Sequence, residues 1–414
     1  MTPLAERDGT LFVEDVSLPE IAAKHGTPCF VYSRSALEAA YREFDAAFEG
    51  IDHLVCYALK ANSNLAVLDV FARLGSGFDV VSGGELARVV AAGGDPAKIV
   101  FSGVGKTDAE LDDALRLGIG CFNVESASEL EHLNRIAGVS GQRAPVSLRV
   151  NPDVDPKTHP YIATGLKENK FGIPFAEALP LYRRAARLPN IRLTGIDIHI
   201  GSQITALEPY REAATKLLAL VDALASEGVH LAHIDLGGGI GIRYRDETPV
   251  ELAQYAAMIK GLFCGRRESL VLEPGRRLTG NAGVLLTRVL YLKPGTETSF
   301  AVVDAAMNDL LRPALYDAWH AVRPVRPRHE AARVWQIVGP VCESADFLAR
   351  DRELALGEGD LLAILSAGAY AMAMSSNYNS RPRAAEVLVD GATMHLVGRR
   401  ESSDELFARE SRLP

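Results

Sequence analysis

A lysine stands directly behind an apolar run near the start of the chain. Residues 53–59 (HLVCYAL) have the β-branched and aromatic character of a buried strand, and Lys60 follows where that strand ends. An amine held away from water loses proton affinity and becomes a nucleophile towards an aldehyde or a ketone. The alternative is a surface lysine whose alkyl stem covers the end of the strand, and position alone favours that alternative.

Three glycines and a carboxylate follow two later apolar runs. DLGGGIGI contains Gly237, Gly238 and Gly239, whose backbone amides could wrap around an anion, although a plain tight turn explains the same letters. The spacing does not match the dinucleotide fingerprint, because Ile242 stands where the third glycine is needed. In LVLEPGRR, Glu273 ends a run and Arg276 follows it, a pairing that is more often structural than catalytic.

An amine, an anion cradle and a carboxylate together match the needs of pyridoxal phosphate, which has an aldehyde, a phosphate and a pyridine nitrogen. HIGSQ adds His199 and Ser202, which could cover a flat ring and touch a phosphate, although a lone histidine is more often a packed core residue. FSGVGKT resembles the end of a P-loop, but Val100 stands where that motif needs glycine. We therefore expect a loop there and a helix that starts at Thr107 or Asp108.

The elements that must position these residues are short β-like runs separated by helix-like segments. Eight such runs occupy residues 53–59, 77–81, 98–103, 121–126, 146–151, 194–200, 232–238 and 270–275. Eight alternating units favour an α/β fold with a parallel (β/α)8 barrel of the TIM type over an open doubly wound sheet. Chemistry in such barrels lies at the C-terminal ends of the strands, where all the residues above stand.

The sequence after residue 275 changes character. β-like runs such as GVLLTRVLYLK, SFAVVDA and ARVWQIVGP alternate with Gly, Pro and Asp, which predicts a mainly antiparallel β domain. The first 33 residues also read as strands (TLFVEDV and TPCFVYS), and a complete barrel has no place for them. We therefore predict a barrel domain over residues 34–276, and a sandwich-like or barrel-like β domain made of residues 1–33 and 277–414.

Composition argues against several classes of function. The chain has 414 residues and a net charge of -9 with no block of Lys and Arg, so nucleic acid and anionic membranes are poor partners and a small metabolite is a better one. The five cysteines are scattered without a C-x-x-C pair, which predicts neither disulfides nor a metal site and fits a reducing cytoplasm. The start MTPLAERDGT lacks the pattern of a secretory signal.

Long segments in both predicted domains resemble the fold-type III pyridoxal-phosphate decarboxylases, and within them the diaminopimelate decarboxylases of bacteria. These segments include YALKANSN, GFDVVSGGEL, TGLKENKFGI, HIGSQI, DLGGGIGI, EPGRRLTGNAG, LLRPALY, GPVCESADFL and GAYAMAMSSNYNSRPRAAEVLV. The resemblance implies that pyridoxal 5'-phosphate is the cofactor and that meso-2,6-diaminopimelate is converted to L-lysine and CO2, the last step of bacterial lysine biosynthesis. A decarboxylase for ornithine, arginine, lysine or carboxynorspermidine and a non-catalytic cofactor carrier remain open as alternatives.

The resemblance also implies a role for each site residue. It assigns cofactor binding to Lys60, Asp79, His199, Ser202, Gly237, Gly238, Gly239, Glu273, Gly275, Arg276 and Tyr370. It assigns substrate binding to Arg276, Arg312, Tyr316, Glu343 and Tyr370. Lys60 would be catalytic by bonding the cofactor aldehyde, and Cys342 by donating a proton. Cys342 and Glu343 would come from the partner subunit, so the resemblance implies a homodimer with composite active sites.

The choice of substrate depends on the far end of the molecule. Diaminopimelate carries both a carboxylate and an ammonium there; Arg312 with Tyr316 suits the first, and Glu343 suits the second. Arg312 and Tyr316 are four residues apart and so share one helical face, although the same spacing suits two surface residues. A decarboxylase for ornithine or lysine meets only an ammonium at that end, which a buried arginine would repel.

Overall fold

The computed structural model describes residues 4–156, 164–165 and 169–414, so part of the TGLKENKFGI segment, residues 166–168, lies outside the described residues. The chain divides into two compact units. We call Ala40–Ile242 with Glu247–Arg277 the barrel unit, and Met1–Ala39 with Arg243–Asp246 and Leu278–Pro414 the β unit. The domain boundaries expected from the sequence stay a prediction.

The barrel unit is built on eight parallel strands. In chain order they are His53–Ala58, Gly77–Val80, Ile99–Phe101, Cys121–Val124, Ala144–Asn151, Ile191–Asp197, His233–Asp235 and Ser269–Leu272. Each pairs with the next, and Leu270 of the last strand pairs with His53 of the first, which closes the ring. Each strand overlaps a predicted run, and the predicted parallel barrel is confirmed. A short strand, Ile173–Pro174, pairs with the C-terminal end of Ala144–Asn151.

Helices alternate with these strands. They are Arg34–Ala47, Leu65–Arg73, Gly83–Ala91, Asp108–Leu117, Ala127–Val139, Phe175–Ala185, Glu208–Ser226, Leu252–Leu262 and Arg276–Thr279. Thr107 caps the helix Asp108–Leu117, because its side chain accepts the Glu110 N–H while the Glu110 carboxylate accepts the Thr107 N–H at 2.9 Å. The helix start predicted at this position is confirmed. None of the helices in the described residues combines the length and the apolarity that a bilayer crossing requires.

The β unit is a mainly antiparallel sheet structure. Its strands are Leu4–Arg7, Thr10–Val13, Val16–Ser17, Cys29–Ser33, Gly283–Lys293, Phe300–Val303, Val322–Pro324, Arg333–Val338, Phe347–Leu354, Leu361–Ile364, Ala385–Asp390 and Thr393–Gly398. Cys29–Ser33 lies between Gly283–Lys293 and Ala385–Asp390, pairing antiparallel with the first and parallel with the second. Leu4–Arg7, Thr10–Val13 and Val16–Ser17 pair with one another in a separate three-stranded sheet of the same unit. The expectation that the N-terminal strands join the β domain is therefore confirmed.

One element of the β unit differs from the expectation of strands alone over the first 33 residues. A helix, Leu18–His25, lies between two of those strands. The Ser17 hydroxyl caps it by accepting the Glu20 N–H at 3.3 Å, Pro19 stands in its first turn, and Gly26 ends it at a φ of 72°. These capping signals are present in the sequence. The helix was nevertheless not predicted, because strand-like runs precede and follow it. The unit also contains the short helix Arg312–Tyr316.

The core of the β unit includes the buried face of the strand Gly283–Lys293. We expect Leu286→Ala, at a fully buried position, to lower the free energy of unfolding by about 2–5 kcal/mol, because it leaves a cavity. Leu290→Ala is the matched control in the same strand, since Leu290 is 36% exposed. Chemical denaturation followed by tryptophan fluorescence measures both, because Trp319 and Trp335 lie in this unit. Equal losses would contradict this placement of the core.

Candidate active site

Lys60 lies at the C-terminal end of the first barrel strand. A short turn, Leu59–Ala61, follows His53–Ala58 and carries the lysine. Its Nζ contacts the carboxylate of Asp79, which stands in the neighbouring strand. The Asp79 side chain is completely buried, whereas the Lys60 side chain is 33% exposed. A buried carboxylate therefore orients an amine that stays accessible at the mouth of the barrel.

His199 and Glu273 lie side by side at the ends of other strands. His199 Nδ1 is 3.8 Å from Glu273 Oε2 and accepts a hydrogen bond from the Gly238 N–H at 3.2 Å. Burial, with smaller contributions from the Arg149 and Lys60 cations, lowers the pKa of His199 well below its ordinary value. Nδ1 accepts a hydrogen bond, so Nε2 carries the proton of a neutral imidazole. The ring can therefore cover an aromatic surface without adding charge.

Glu273 belongs to a cluster of three buried carboxyl groups. Oxygen atoms of Asp197, Asp235 and Glu273 all lie within 4.8 Å of one another. Burial raises the pKa of Asp235 to about 7, and burial followed by repulsion from Asp235 raises the pKa of both Asp197 and Glu273 well above their ordinary values. Arg149 faces the cluster, with its Nε 3.8 Å from Asp197 Oδ2. The cluster therefore retains protons near neutral pH.

Each carboxyl group of this cluster has one buried oxygen without a hydrogen-bond partner among the described residues: Asp197 Oδ1, Asp235 Oδ2 and Glu273 Oε1. Glu273 Oε1 is buried and accepts no hydrogen bond from the described residues. A buried acceptor in this state costs free energy until a donor reaches it. A protonated pyridine nitrogen supplies both the donor and a positive charge among the carboxyl groups, so this end of the site fits the ring of pyridoxal phosphate. The oxygen spacing alone would also suit a metal ion, for which the sequence contains no motif.

The glycine run places backbone amides beside this cluster. The Gly237 N–H donates to Asp235 Oδ1 at 2.8 Å, and the Gly238 N–H donates to His199. Within the part of the chain that the structure describes, the Gly239 N–H donates to no acceptor. A Cβ on Gly238 would clash with the carbonyl oxygen of Glu273. Glycine is therefore required for this close approach, and the amide of Gly239 suits an anion such as a phosphate.

Two further polar side chains meet in the barrel unit. Arg276 Nη2 donates to Ser202 Oγ at 3.0 Å, and Arg276 is buried. A guanidinium beside a hydroxyl suits a phosphate or a carboxylate. Gly275 packs closely against the turn that carries Lys60, because a Cβ there would lie 3.1 Å from the Cβ of Ala61.

The other predicted site residues lie in the β unit. They are Arg312, Tyr316, Cys342, Glu343 and Tyr370. Arg312 is buried at the start of the helix Arg312–Tyr316, and Tyr316 ends that helix. Tyr370 has a φ of 54°, a left-handed conformation that a residue with a large side chain rarely adopts. Such a conformation persists only where the surrounding structure fixes it, and it is found most often at functional sites.

Cys342 and Glu343 are exposed on a loop whose backbone is held by hydrogen bonds to two side chains. The Asp346 carboxylate accepts the Val341 N–H at 2.8 Å and also accepts the N–H of Met307. The Cys342 N–H donates to Asn379 Oδ1 at 2.7 Å. The backbone of the loop is therefore held while the thiol and the carboxylate point outward, where they are accessible to another molecule.

Sequence reasoning missed three residues that shape the site. Asp235 had a visible signal, since an acid ends an apolar run two residues before Gly237, the first of the three glycines. Arg149 also had one, because a cation interrupts the buried run VSLRVN; its Nη1 lies 3.2 Å from Glu125 Oε1. Asn379 had none, because only the folded chain places it against the Cys342 loop.

Comparisons with known proteins agree with this geometry. Residues 34–280 match the family described as pyridoxal-dependent decarboxylase, pyridoxal binding domain. The chain is 60% identical to a diaminopimelate decarboxylase of Pseudomonas aeruginosa over 100% of both chains, and 57% identical to one of Vibrio cholerae over 99% of this chain and 98% of that one. A crystal structure of diaminopimelate decarboxylase from Helicobacter pylori complexed with L-lysine shares 42% identity at a TM-score of 0.92, covering 95% of this chain and 98% of that chain.

The carboxyl cluster makes stability depend on pH. The folded-state pKa of Asp235 lies at about 7 against an ordinary value of 3.8, so the folded chain binds a proton that the unfolded chain releases in this interval. The contribution of Asp235 to the free energy of unfolding therefore falls as pH rises from 3.8 to about 7. We expect Asp235→Asn, which still accepts the Gly237 N–H, to weaken this fall. Urea unfolding at a series of pH values, followed by circular dichroism, measures it.

Asp113→Asn is the matched control for this substitution, since its side chain is 60% exposed. We expect its pH dependence to equal that of the wild type. An identical pH dependence in all three proteins would show that Asp235 does not titrate in the folded chain as the cluster requires.

Proposed function

The chain belongs to the pyridoxal-dependent decarboxylases, in the family of the diaminopimelate decarboxylases, and on that premise we propose that it converts meso-2,6-diaminopimelate to L-lysine and CO2. The observation that carries this proposal is the buried Glu273 Oε1, which has no donor among the described residues, in the same barrel mouth as the amine of Lys60. Relatives at 57–60% identity over nearly their whole length support the choice of substrate.

The barrel unit supplies the residues that hold the cofactor. Pyridoxal phosphate, when bound, supplies an aldehyde that takes up an amino group and a ring that accepts the electrons released with CO2. Lys60 is the amine that attaches it, and Asp79 orients that amine. Glu273 would accept a hydrogen bond from the protonated ring nitrogen and so favour its charged form. His199 covers the flat face of the ring as a neutral imidazole.

The phosphate end is held by backbone and side-chain donors. The Gly239 N–H provides the amide that is available for it, while Gly237 and Gly238 keep their amides on Asp235 and His199 and let the backbone approach closely. Ser202 and Arg276, already in contact with each other, add a hydroxyl and a guanidinium. Gly275 contributes by close packing against the turn that carries Lys60.

The β unit supplies the residues that read the substrate. Arg312 and Tyr316 bind the far carboxylate, Glu343 binds the far ammonium, and Tyr370 contacts both substrate and cofactor. Arg276 adds a second cation for a substrate carboxylate. The Cys342 thiol donates the proton to the carbon that has lost CO2.

We further propose that the protein is a cytoplasmic homodimer in which Cys342 and Glu343 complete the site of the partner subunit. Both residues are exposed in the single chain. A thiol that donates a proton to a substrate must lie in an active site, so we propose that the partner subunit provides that site. The contacts from Asp346 and Asn379 hold their loop in place, which suits a segment that must enter another subunit's site.

The substrate can be tested by competition. We expect the purified protein, offered meso-diaminopimelate, ornithine and lysine together, to release CO2 and to form lysine from diaminopimelate alone, as seen by mass spectrometry with isotope-labelled substrates. Lys60→Ala is expected to abolish the reaction and the visible absorbance of covalently attached cofactor. Turnover of ornithine or lysine in preference to diaminopimelate would favour the rival decarboxylases, and cofactor binding without any turnover would favour the carrier.

Composite sites can be tested by mixing inactive variants. Lys60→Ala and the double variant Cys342→Ala, Glu343→Ala are each expected to be inactive. After unfolding and refolding together, half of the dimers are mixed and each has one intact site, so activity should return to about a quarter of the wild-type value. A triple variant mixed with Lys60→Ala is the control that should stay inactive. No recovery in the first mixture, with dimers present, would contradict composite sites.

A further inference from the structure

A buried histidine makes direct contact with one of the proposed substrate readers. His320 is 0% exposed, and its Nε2 lies 2.8 Å from Arg312 Nη1. On the other side of the ring, His320 Nδ1 lies 2.8 Å from the carbonyl oxygen of Leu365. The imidazole therefore connects the Arg312 guanidinium to the backbone just after the strand Leu361–Ile364.

These two contacts fix the protonation of His320. A guanidinium has only donors, so Nε2 must accept the hydrogen bond from Arg312. A carbonyl oxygen only accepts, so Nδ1 must carry the proton that points to Leu365. His320 is therefore a neutral imidazole in a single tautomer, and it adds no charge beside Arg312.

Tyr244 restricts the same guanidinium from a second direction. The carbon of the Arg312 guanidinium lies 4.4 Å from the centre of the Tyr244 ring, which also meets the His320 ring edge-on at 5.3 Å. Arg312 is itself only 6% exposed. One edge of the guanidinium is thus committed to His320 and one face to Tyr244, which limits the directions in which its other N–H groups can point.

We propose that His320 is a positioning residue for substrate choice, which holds Arg312 in the orientation that binds the far carboxylate of the substrate. This inference rests on the proposed function and deepens it. A carboxylate in place of the imidazole would hold the guanidinium but cancel its charge, and would favour substrates that end in an ammonium. A neutral acceptor holds the guanidinium and leaves its charge intact.

Two ligands that differ only in the far carboxylate separate positioning from general packing. L-lysine, the product of the proposed reaction, keeps that carboxylate, whereas 1,5-diaminopentane lacks it. His320→Leu removes the acceptor, so we expect the inhibition constant of L-lysine and the KM of diaminopimelate to rise by about 10–100-fold, the factor for a lost hydrogen bond to a charged group. The inhibition constant of 1,5-diaminopentane, kcat and the visible spectrum of the bound cofactor should stay near wild type.

Conservative variants make the test independent of folding. His320→Gln can place an oxygen near the position of Nε2 and should restore L-lysine binding to within a few-fold of wild type. His320→Asn keeps a donor for Leu365 but is too short to reach Arg312, so it should behave like His320→Leu and replaces it if that variant does not fold. His395→Leu, at an exposed position of the same unit, is the control for the substitution itself.

The outcomes separate this inference from the proposed function. A wild-type protein that does not decarboxylate diaminopimelate overturns the proposed function. If the wild-type protein does decarboxylate diaminopimelate, two results overturn only the role of His320. One is that the acceptor-free variants bind L-lysine as tightly as wild type, and the other is that they lose affinity for L-lysine and for 1,5-diaminopentane equally.

Discussion

The burial of carboxyl groups at the mouth of the barrel is the constraint on which the candidate site depends. Asp79, Asp197, Asp235 and Glu273 are all buried, and the cations that face them include Lys60 and Arg149. Taking a carboxylate out of water is expensive, so the cluster must keep protons or gain positive charge. A cofactor with a basic ring nitrogen provides that charge where Glu273 Oε1 has no donor. Under the proposed function, the unfavourable burial of these carboxyl groups would contribute to the binding free energy of the ring.

The glycine run shows how one short segment serves this cluster. Asp235 ends its strand and accepts the Gly237 N–H, which fixes the turn, and the next amide holds His199 in its neutral form. The chain then passes so close to Glu273 that position 238 tolerates no side chain. The positions of His199, Glu273 and the Gly239 amide, to which we assign the ring and the phosphate, therefore depend on the consecutive residues DLGGG.

The barrel could be predicted because each buried strand is a short apolar run bounded by polar residues. The candidate site residues of the barrel unit could be singled out because they stand at or after the ends of those runs. The carboxyl cluster was not predicted, although Asp197, Asp235 and Glu273 stand on three consecutive predicted runs, because the sequence does not show that all three side chains point to the same place. The helix Leu18–His25 was missed although its caps are in the sequence, since strand-like letters surround it. His320 was missed because it lies beyond the helix Arg312–Tyr316, so only the folded chain places it against Arg312.

Two buried arginines show how the partner of a guanidinium decides what it can do. Arg149 lies against the carboxylate of Glu125, whose other oxygen accepts the Gly172 N–H at 3.0 Å, so its charge is used within the fold. Arg312 is held by an imidazole that must be neutral, because its two nitrogens are fixed as one acceptor and one donor. Glu125 orients Arg149 and offsets its charge at the same time, whereas His320 orients Arg312 without adding a negative charge. The second arrangement is the one that suits a residue whose charge must select a substrate.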